Sequence, residues 1–279
     1  MIHESEMVQS KIVAVIFDWA GTIIDHGSRA PVEVFRRVFE ERGIPVTTQQ
    51  AREPMGKAKR EHILSICRMP SVDLAWKSAY GHSATEGEVD RLYSEFLPLQ
   101  KEVLLNHCEA IPGAKEAFAF LRSKEIKIGS STGYTHALMD VLVPYAKMQG
   151  ILPDVIICSD DVVAGRPKPW LIFEALQQLD CCPTWRTVIV DDTTVGIQAG
   201  IQAGCWTIAV RGTGNELGMS LEEVNNLPAE DLAAQLSQIE VKFKAIGADI
   251  VIDSVANLPE AIAEIETRLQ FGQLPSAYD

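Results

Sequence analysis

The sequence has a shortage of positive charge and no long apolar segment. Its 279 residues include 25 lysines and arginines against 38 aspartates and glutamates, which gives a net charge of −13. This excess of negative charge disfavours a general affinity for nucleic acid or anionic membranes. No apolar stretch approaches the roughly 20 residues that span a bilayer. A phosphate-bearing small molecule stays possible as a ligand, because one local group of cations is enough to bind it.

The cysteines also lack any pattern of pairing or zinc binding. The six cysteines form no Cys-x-x-Cys pair and no cysteine and histidine spacing typical of zinc. Residues 1–6 are too polar and acidic for a signal peptide. We therefore expect a reduced protein of the cytoplasm.

Six short apolar runs predict the strands of a sheet that is covered on both faces. Helical patterns separate most of these runs, and strands alternating with helices favour a parallel, doubly wound sheet. With 47% hydrophobic and 23% charged residues, the composition is that of an ordinary globular protein. We therefore predict an α/β fold with a Rossmann-like core. The six runs are residues 12–17, 126–131, 155–158, 187–190, 205–210 and 249–252.

The alternation stops between residues 28 and 107, where only helical patterns occur. Residues 31–42 have one apolar stripe, a second helix lies within 56–68, and a third begins near Glu88. An insert of about 80 residues is too long for a structureless loop. We therefore predict a core domain of residues 1–27 and 108–279, with a helical cap domain of residues 28–107.

Polar groups follow four of the predicted strands, where open α/β sheets place their chemistry. Each group alone could simply cap a turn or a helix. Together they supply a carboxylate nucleophile, a hydroxyl, a fixed cation and a second carboxylate, as phosphoryl transfer through an aspartyl-phosphate requires. Carboxylate oxygens, water and a substrate phosphate can also hold Mg²⁺. The four groups contain Asp18, Thr132, Arg166 and the pair Asp191-Asp192.

The order of these groups, and the insert after the first, resembles the haloacid dehalogenase superfamily over nearly the whole chain. The resemblance implies that Asp18 is the nucleophile, Thr132 and Arg166 contact phosphate, and Asp192 binds the cofactor Mg²⁺. Asp18 and the backbone carbonyl of Ala20 would be the other metal ligands. Many members have a further acidic residue four positions after that aspartate, where this chain has Gly196. Asp191 is then a candidate for orienting the metal shell.

Ala20 departs from the usual first motif of this superfamily. Phosphatases and mutases have a second aspartate there, which protonates the leaving alcohol and then activates water. An alanine cannot transfer a proton, and its presence would cost an ordinary phosphomonoesterase a factor of about 10²–10⁴ in rate. Either the protein is not catalytic, or its leaving group is stabilised in another way.

Four strings resemble the phosphonoacetaldehyde hydrolases of the superfamily. In that family a cap lysine forms a Schiff base with the substrate aldehyde, and the spacing Met-Gly-x-x-Lys places it at Lys59 rather than Lys57. The resemblance also makes His62 a proton-transfer residue. It further implies substrate contacts from Met55, Gly56, Thr132, Gly133, Tyr134 and Arg166. The strings are residues 17–22, 52–59, 132–134 and 165–170.

This resemblance accounts for Ala20. Breaking a C–P bond expels a carbanion, and a protonated imine beside that carbon can accept its electrons, so no acid is needed at residue 20. The implied activity is hydrolysis of phosphonoacetaldehyde in the degradation of 2-aminoethylphosphonate. Two alternatives stay open: a phosphomonoesterase or phosphomutase of the same fold, and an inactive phosphate-binding module.

The predicted cap has more apolar side chains than a small insert can bury alone. Closure onto the core and a contact between subunits explain this equally well. Because the family it resembles forms homodimers through the cap, we expect a homodimer with the two-fold axis there. The residues are Trp76, Tyr80, Tyr93, Phe96 and Leu97.

Overall fold

A parallel sheet of six strands forms the centre of the molecule, in the order β3-β2-β1-β4-β5-β6. The structure is a computed structural model that describes residues 11–278, so residues 1–6 and the signal-peptide expectation lie outside the described residues. All six strand predictions and the α/β fold class are confirmed. The strands are β1 (Ala14–Phe17), β2 (Lys127–Ser131), β3 (Val155–Ile157), β4 (Thr187–Asp191), β5 (Trp206–Val210) and β6 (Ile250–Ile252).

Strand β1 shows why the strand sequences are apolar throughout rather than alternating. Ala14 and Ile16 point into one hydrophobic layer, and Val15 and Phe17 point into the layer on the opposite face. All four residues are fully buried. Successive side chains of a strand face opposite sides, so a strand that is covered on both faces needs apolar residues at every position.

In residues 11–278, seven α-helices lie outside the insert. Helices α8, α9 and α11 contribute to the layers on one face, and α6, α7 and α12 contribute to the layer on the other. A capping box of Ser220 and Glu223 is present at the start of α10. The helices are α6 (Ala114–Ser123), α7 (His136–Met148), α8 (Trp170–Leu179), α9 (Thr194–Gln202), α10 (Leu221–Asn226), α11 (Ala229–Ala245) and α12 (Leu258–Gln270).

The insert between β1 and α6 contains five helices. The sequence patterns located three of them, whereas α2 and α4 were not predicted. Helix α2 has only five residues, and α4 buries only Val72 and Trp76, so neither presents a clear apolar stripe. The division into a core and a cap domain stays a prediction. The helices are α1 (Arg29–Glu40), α2 (Thr48–Arg52), α3 (Lys59–Cys67), α4 (Pro70–Tyr80) and α5 (Glu86–Leu104).

The two chain segments that join the insert to the sheet run side by side. The Asp25 N–H donates to the Glu109 carbonyl at 3.2 Å, and the Ile111 N–H donates to the Ile23 carbonyl at 2.9 Å. Arg52 of the insert also donates from Nη2 to the Gly218 carbonyl at 2.9 Å. The insert is thus held both where its two connections meet and at the loop that follows β5.

The described residues bear on the expected state of the cysteines and on membrane-spanning segments. All six cysteines fall within them, and all six are unpaired. Among the helices described, none combines the length and the apolar character needed to cross a membrane.

A contact between the half-buried His107 and the buried carboxylate of Asp25 links the two connections. Asp25 Oδ1 lies 3.3 Å from His107 Nδ1, and Glu33 Oε2 lies 3.8 Å from His107 Nε2. Asp25 also accepts hydrogen bonds from the backbone N–H groups of Arg29 and Ala30 at the start of α1. The hydrogen bond to Asp25 raises the pKa of His107 above the usual histidine value, although burial opposes it.

We predict that His107 stabilises the fold in a pH-dependent way. Because its pKa is raised on folding, its contribution is fully present below about pH 6.5, the usual histidine pKa. The contribution is lost as the pH rises through the higher pKa of the folded state. Urea unfolding of the wild type and His107→Asn should therefore give a difference in unfolding free energy that is largest near pH 5.5 and smaller near pH 8.5. In an Asp25→Asn background this pH dependence should disappear; its persistence would refute the pairing.

Candidate active site

A narrow cavity opens where β1, β2 and β4 end, between the sheet and the insert. Its walls leave about 300 Å³ of space between them, part of which is open to solvent. Both parts of the chain contribute to its walls, so a molecule inside would be surrounded by core and insert. The lining residues are Asp18, Ala20, Ser28, Pro31, Met55, Gly56, Lys59, Thr132, Gly133, Tyr134, Arg166 and Thr193.

Asp18 is the first residue after β1, and its position is fixed from two directions. Its N–H donates to the Val190 carbonyl of the neighbouring strand at 2.9 Å. Its Oδ1 accepts a hydrogen bond from Arg166 Nη1 at 2.7 Å. Ala20 lies two residues further on and also lines the cavity, where its methyl group offers no proton.

Arg166 is a cation that the fold holds rigidly. Its Nη2 donates to the Ser131 carbonyl at 2.5 Å and to Ser131 Oγ at 2.9 Å, while Nη1 faces Asp18. The residue is only 3% exposed. A planar guanidinium held in this way presents its donors in a fixed geometry, which suits binding of a phosphoryl or phosphonyl group.

Three buried carboxylates meet beside this cation. Carboxylate oxygens of Asp18, Asp191 and Asp192 lie within 4.8 Å of one another. Burial, and then repulsion from Asp18 and Asp191, raises the pKa of Asp192 well above its usual range. Burial also raises the pKa of Asp191 to about 6, although Arg166 opposes the shift. The buried negative charge and the oxygen donors of this group fit a divalent metal ion.

The carboxylate of Asp192 is held in place by the residues around it. Thr22 Oγ1 donates to Oδ1 at 3.3 Å, and the Asn215 N–H donates to Oδ2 at 2.6 Å. These hydrogen bonds fix the side chain without satisfying all four lone pairs of the carboxylate. Asp192 does not itself line the cavity, but its carboxylate lies close enough to that of Asp18 for both to hold one metal ion.

Lys59 is the first residue of α3 and enters the cavity from the insert. It is 4% exposed, and its Nζ lies 4.8 Å from the ring centre of Tyr134 and 5.7 Å from that of Phe35. Burial lowers the pKa of Lys59 to about 8, although Asp18 opposes the shift. At pH 7 about one amine in ten is then unprotonated, compared with fewer than about one in a thousand for an ordinary lysine. Such an amine is a competent nucleophile.

Lys57 occupies a different environment from Lys59. Its Nζ donates to Ser65 Oγ at 3.0 Å on the surface of α3, and the residue does not line the cavity. The structure therefore places Lys59 in the cavity and Lys57 outside it.

His62 lies behind the cavity rather than in its wall. Its ring stacks on Phe35 at 3.8 Å between centres, and its Nε2 lies 2.8 Å from the Ala51 carbonyl, to which it donates. Burial, and then Lys59, lowers the pKa of His62 well below the usual value, so the imidazole is neutral. Its buried Nδ1 has no hydrogen-bond partner among residues 11–278. Any proton that His62 exchanges with the cavity must pass through an intervening group.

Three lining residues were not among the site residues predicted from the sequence. Ser28 and Pro31 line the cavity from the start of the insert, and Thr193 does so from the residue after Asp192. Thr193 could have been found from its neighbour, since the first residues after a strand end point toward the same edge. Ser28 and Pro31 carry no comparable signal in the sequence.

The loop before α3 lies directly against the core. A methyl group on Gly133 would lie 2.9 Å from the Lys57 carbonyl, and one on Gly56 would overlap Thr193 and Val195. Glycine at these two positions lets the backbones of insert and core approach closely. This approach brings Lys59 over the end of β2.

Several known proteins that this chain is similar to are hydrolases of one family. A family model described as haloacid dehalogenase-like hydrolase matches residues 12–204. The phosphonoacetaldehyde hydrolase of Paraburkholderia phytofirmans is 42% identical over 264 residues, which cover 95% of this chain and 99% of that protein. The phosphonoacetaldehyde hydrolase of Hahella chejuensis is also 42% identical, over 95% of this chain and 90% of that protein.

A solved structure has the same architecture. The crystal structure of a phosphonoacetaldehyde hydrolase-like protein from Oleispira antarctica matches this one with a TM-score of 0.93 and 38% sequence identity. The match covers 95% of this chain and 96% of the other. The similarity therefore includes the insert as well as the sheet.

We predict that Gly133→Ala pushes the insert loop away from the core. The new methyl group would meet a backbone carbonyl, which cannot rotate away, and overpacking of this kind costs about 1–3 kcal/mol. Hydrogen exchange of the amides of residues 57–59 should become faster, while the strands of the sheet keep their protection. The matched control is Gly87→Ala in α5, where a methyl group would meet no atom within 4 Å. Equal exchange in the two variants would show that the contact between Gly133 and the Lys57 carbonyl does not hold the insert against the core.

Proposed function

The chain belongs to the phosphonoacetaldehyde hydrolases of the haloacid dehalogenase-like family, and from this premise we propose that it hydrolyses the C–P bond of phosphonoacetaldehyde. The products are acetaldehyde and phosphate, as in the degradation of 2-aminoethylphosphonate. One observation carries the proposal: a buried lysine with a lowered pKa shares a cavity with an aspartate, and alanine stands where a proton-donating acid would be.

In the first step Lys59 Nζ attacks the aldehyde carbon of the substrate. A C–N bond forms, the carbonyl oxygen leaves as water, and a protonated imine results. The ring of Tyr134 faces this nitrogen at 4.8 Å and supports its positive charge through the ring quadrupole. Burial keeps the tyrosine hydroxyl protonated, because it raises the Tyr134 pKa well above the usual value.

In the second step the Asp18 carboxylate attacks phosphorus. A P–O bond forms, the C–P bond breaks, and its electron pair moves into the imine to give an enamine. Ala20 is compatible with this step because the leaving carbon needs an electron acceptor and no proton. Protonation of the enamine carbon and hydrolysis of the imine release acetaldehyde, and water then cleaves the aspartyl-phosphate.

The remaining cavity residues bind and orient the substrate. We assign Arg166 and Thr132 to the phosphonyl oxygens, since both lie beside Asp18 at the strand ends. Met55, Gly56, Gly133 and Tyr134 enclose the carbon end near Lys59. An enclosed site excludes water, which strengthens these electrostatic contacts and protects the imine from early hydrolysis.

Asp18, the Ala20 carbonyl and Asp192 would hold Mg²⁺, which prefers oxygen ligands. When bound, it would offset repulsion between the Asp18 carboxylate and the anionic phosphonate. Asp18 would thus be both nucleophile and ligand. The proton-transfer role proposed for His62 requires an intermediary such as water, because His62 lies outside the cavity wall.

Two other functions are less well supported. A phosphomonoesterase or phosphomutase would need an acid at residue 20, which is alanine. An inactive phosphate-binding module would have no use for an amine kept partly unprotonated by burial at Lys59. The cytoplasmic location expected from the sequence stays part of the proposal.

We predict that borohydride added with phosphonoacetaldehyde modifies Lys59 alone. Borohydride reduces the imine to a stable secondary amine, and peptide mass mapping locates the adduct. Lys59→Arg should lose both the adduct and phosphate release although it keeps the positive charge. Lys57→Arg is the matched control and should keep both. An adduct on Lys57 would contradict the assignment.

We predict that Asp18→Asn loses phosphate release but still forms the imine at Lys59. The amide cannot attack phosphorus, so phosphate release should fall by a factor of at least about 10³. Lys59 is untouched, so the borohydride adduct should still form. Phosphate release at more than a tenth of the wild-type rate would remove Asp18 from the role of nucleophile.

We also predict a homodimer, although two of the residues that suggested a contact between subunits are buried. Trp76 and Phe96 are buried within their own chain, whereas Tyr80 and Leu74 of α4 are 43% and 69% exposed. The proposed contact therefore involves the exposed side of α4. Light scattering at micromolar concentration should give twice the mass of the chain, and Leu74→Glu should reduce it. A monomer mass for the wild type would count against the dimer.

A further inference from the structure

Gln100 lies on the buried side of helix α5, among apolar side chains. It is 0% exposed, and Phe96 and Val103, four residues before it and three residues after it, are buried on the same helix. An apolar side chain such as leucine would continue this pattern, since residues three and four apart share one face of a helix. The amide at this position therefore needs a physical reason of its own.

The amide of Gln100 is left without hydrogen bonds. Neither Oε1 nor Nε2 has a hydrogen-bond partner in the part of the chain that the structure describes. A buried polar group without a partner destabilises the folded protein, because its hydrogen bonds to water are lost and nothing replaces them. A glutamine kept here at that cost is a candidate for a role in the reaction.

The hydroxyl of Tyr134 is a matching group on the core side. It too is buried and has no hydrogen-bond partner within residues 11–278. The Gln100 amide lies within interaction range of this hydroxyl, although the two groups are not aligned as in a hydrogen bond. Burial raises the pKa of Tyr134 well above its usual value, so the hydroxyl keeps its proton. It can therefore donate to Gln100 Oε1 after rotation of a side chain.

Both groups lie near Lys59. The ring centres of Tyr134 and Phe35 are 4.8 Å and 5.7 Å from Lys59 Nζ. Phe35 stacks in turn on Phe96, with 4.5 Å between ring centres, and Gln100 follows Phe96 by one helical turn. Gln100 itself does not line the cavity, whereas Tyr134 does. Tyr134 thus links the buried amide to the reacting amine.

We propose that Gln100 is a positioning residue: when substrate is bound, its Oε1 accepts a hydrogen bond from the Tyr134 hydroxyl and fixes the aromatic ring against the Lys59 nitrogen. This hydrogen bond joins the insert to the core at the carbon end of the cavity. A fixed ring stabilises the positive charge of the imine better than a ring that can tilt, because the attraction requires the nitrogen to lie over the ring face. The inference rests on the proposed function, since it concerns the same imine.

The first test is Gln100→Leu, which removes the amide and nearly keeps the volume. The kcat for phosphate release from phosphonoacetaldehyde should fall about 10-fold, as expected for one lost hydrogen bond. KM should change little, because the contacts to the phosphonyl group are untouched. The Tm should rise by about 2–4 °C, since an apolar side chain replaces an unpaired buried amide. A glutamine with a merely structural role would give a lower Tm in this variant.

The second test asks whether Gln100 acts through Tyr134. Tyr134→Phe keeps the ring and removes the hydroxyl, so adding Gln100→Leu to it should cause no further loss of kcat. Trapping with acetaldehyde and cyanoborohydride measures imine formation at Lys59 without C–P cleavage. It should be slower in Gln100→Leu than in the wild type, and equally slow in Tyr134→Phe with and without Gln100→Leu.

Three results would overturn the proposal. They are an unchanged kcat in Gln100→Leu, a lowered Tm in that variant, and an equal loss of kcat with and without the Tyr134 hydroxyl. If Gln100→Leu fails to fold, Gln100→Met gives the same comparison, since methionine is also unbranched and of similar length. A wild type that forms the acetaldehyde adduct but releases no phosphate from phosphonoacetaldehyde would overturn the proposed function and leave the trapping test of Gln100 standing.

Discussion

Repulsion among buried carboxylates is the interaction on which the rest of the site depends. Asp18, Asp191 and Asp192 converge within 4.8 Å at the ends of β1 and β4, where all three are largely buried. Arg166 compensates part of this charge and is itself fixed by Ser131. Further positive charge nearby would offset the rest of this repulsion, and the proposal supplies it as Mg²⁺ and as Lys59. Cation binding and catalysis therefore both depend on the negative charge of these three carboxylates.

The insert provides what the sheet alone cannot. It buries Lys59, and that burial leaves a useful fraction of unprotonated amine near neutral pH. The close contact of Gly133 with the Lys57 carbonyl, and the hydrogen bonds from Arg52 to the core, hold the lysine above the strand ends. With an amine in this position, the alanine at residue 20 is consistent with catalysis of a different bond rather than with loss of activity.

Much of this arrangement could be predicted from sequence because it follows from local patterns. Apolar runs give the six strands, and the rule that parallel strands present their ends at one edge brings Asp18, Thr132, Arg166 and Asp192 together. Helices α2 and α4 escaped prediction, since one is very short and the other buries only two side chains. The position of His62 behind the cavity depends on its stacking with Phe35, a contact between distant residues that no local pattern encodes.

The central claim is that an imine at Lys59 replaces the missing acid at residue 20. Its most direct test is to measure phosphate release by one preparation, with and without Mg²⁺, from phosphonoacetaldehyde and from p-nitrophenyl phosphate. The first substrate has an aldehyde that can form the imine, and the second is an ester without one. We predict Mg²⁺-dependent release from phosphonoacetaldehyde at a rate at least about 10² times that from the ester, the lower limit of what a missing proton donor costs. Comparable or faster hydrolysis of the ester would contradict the account.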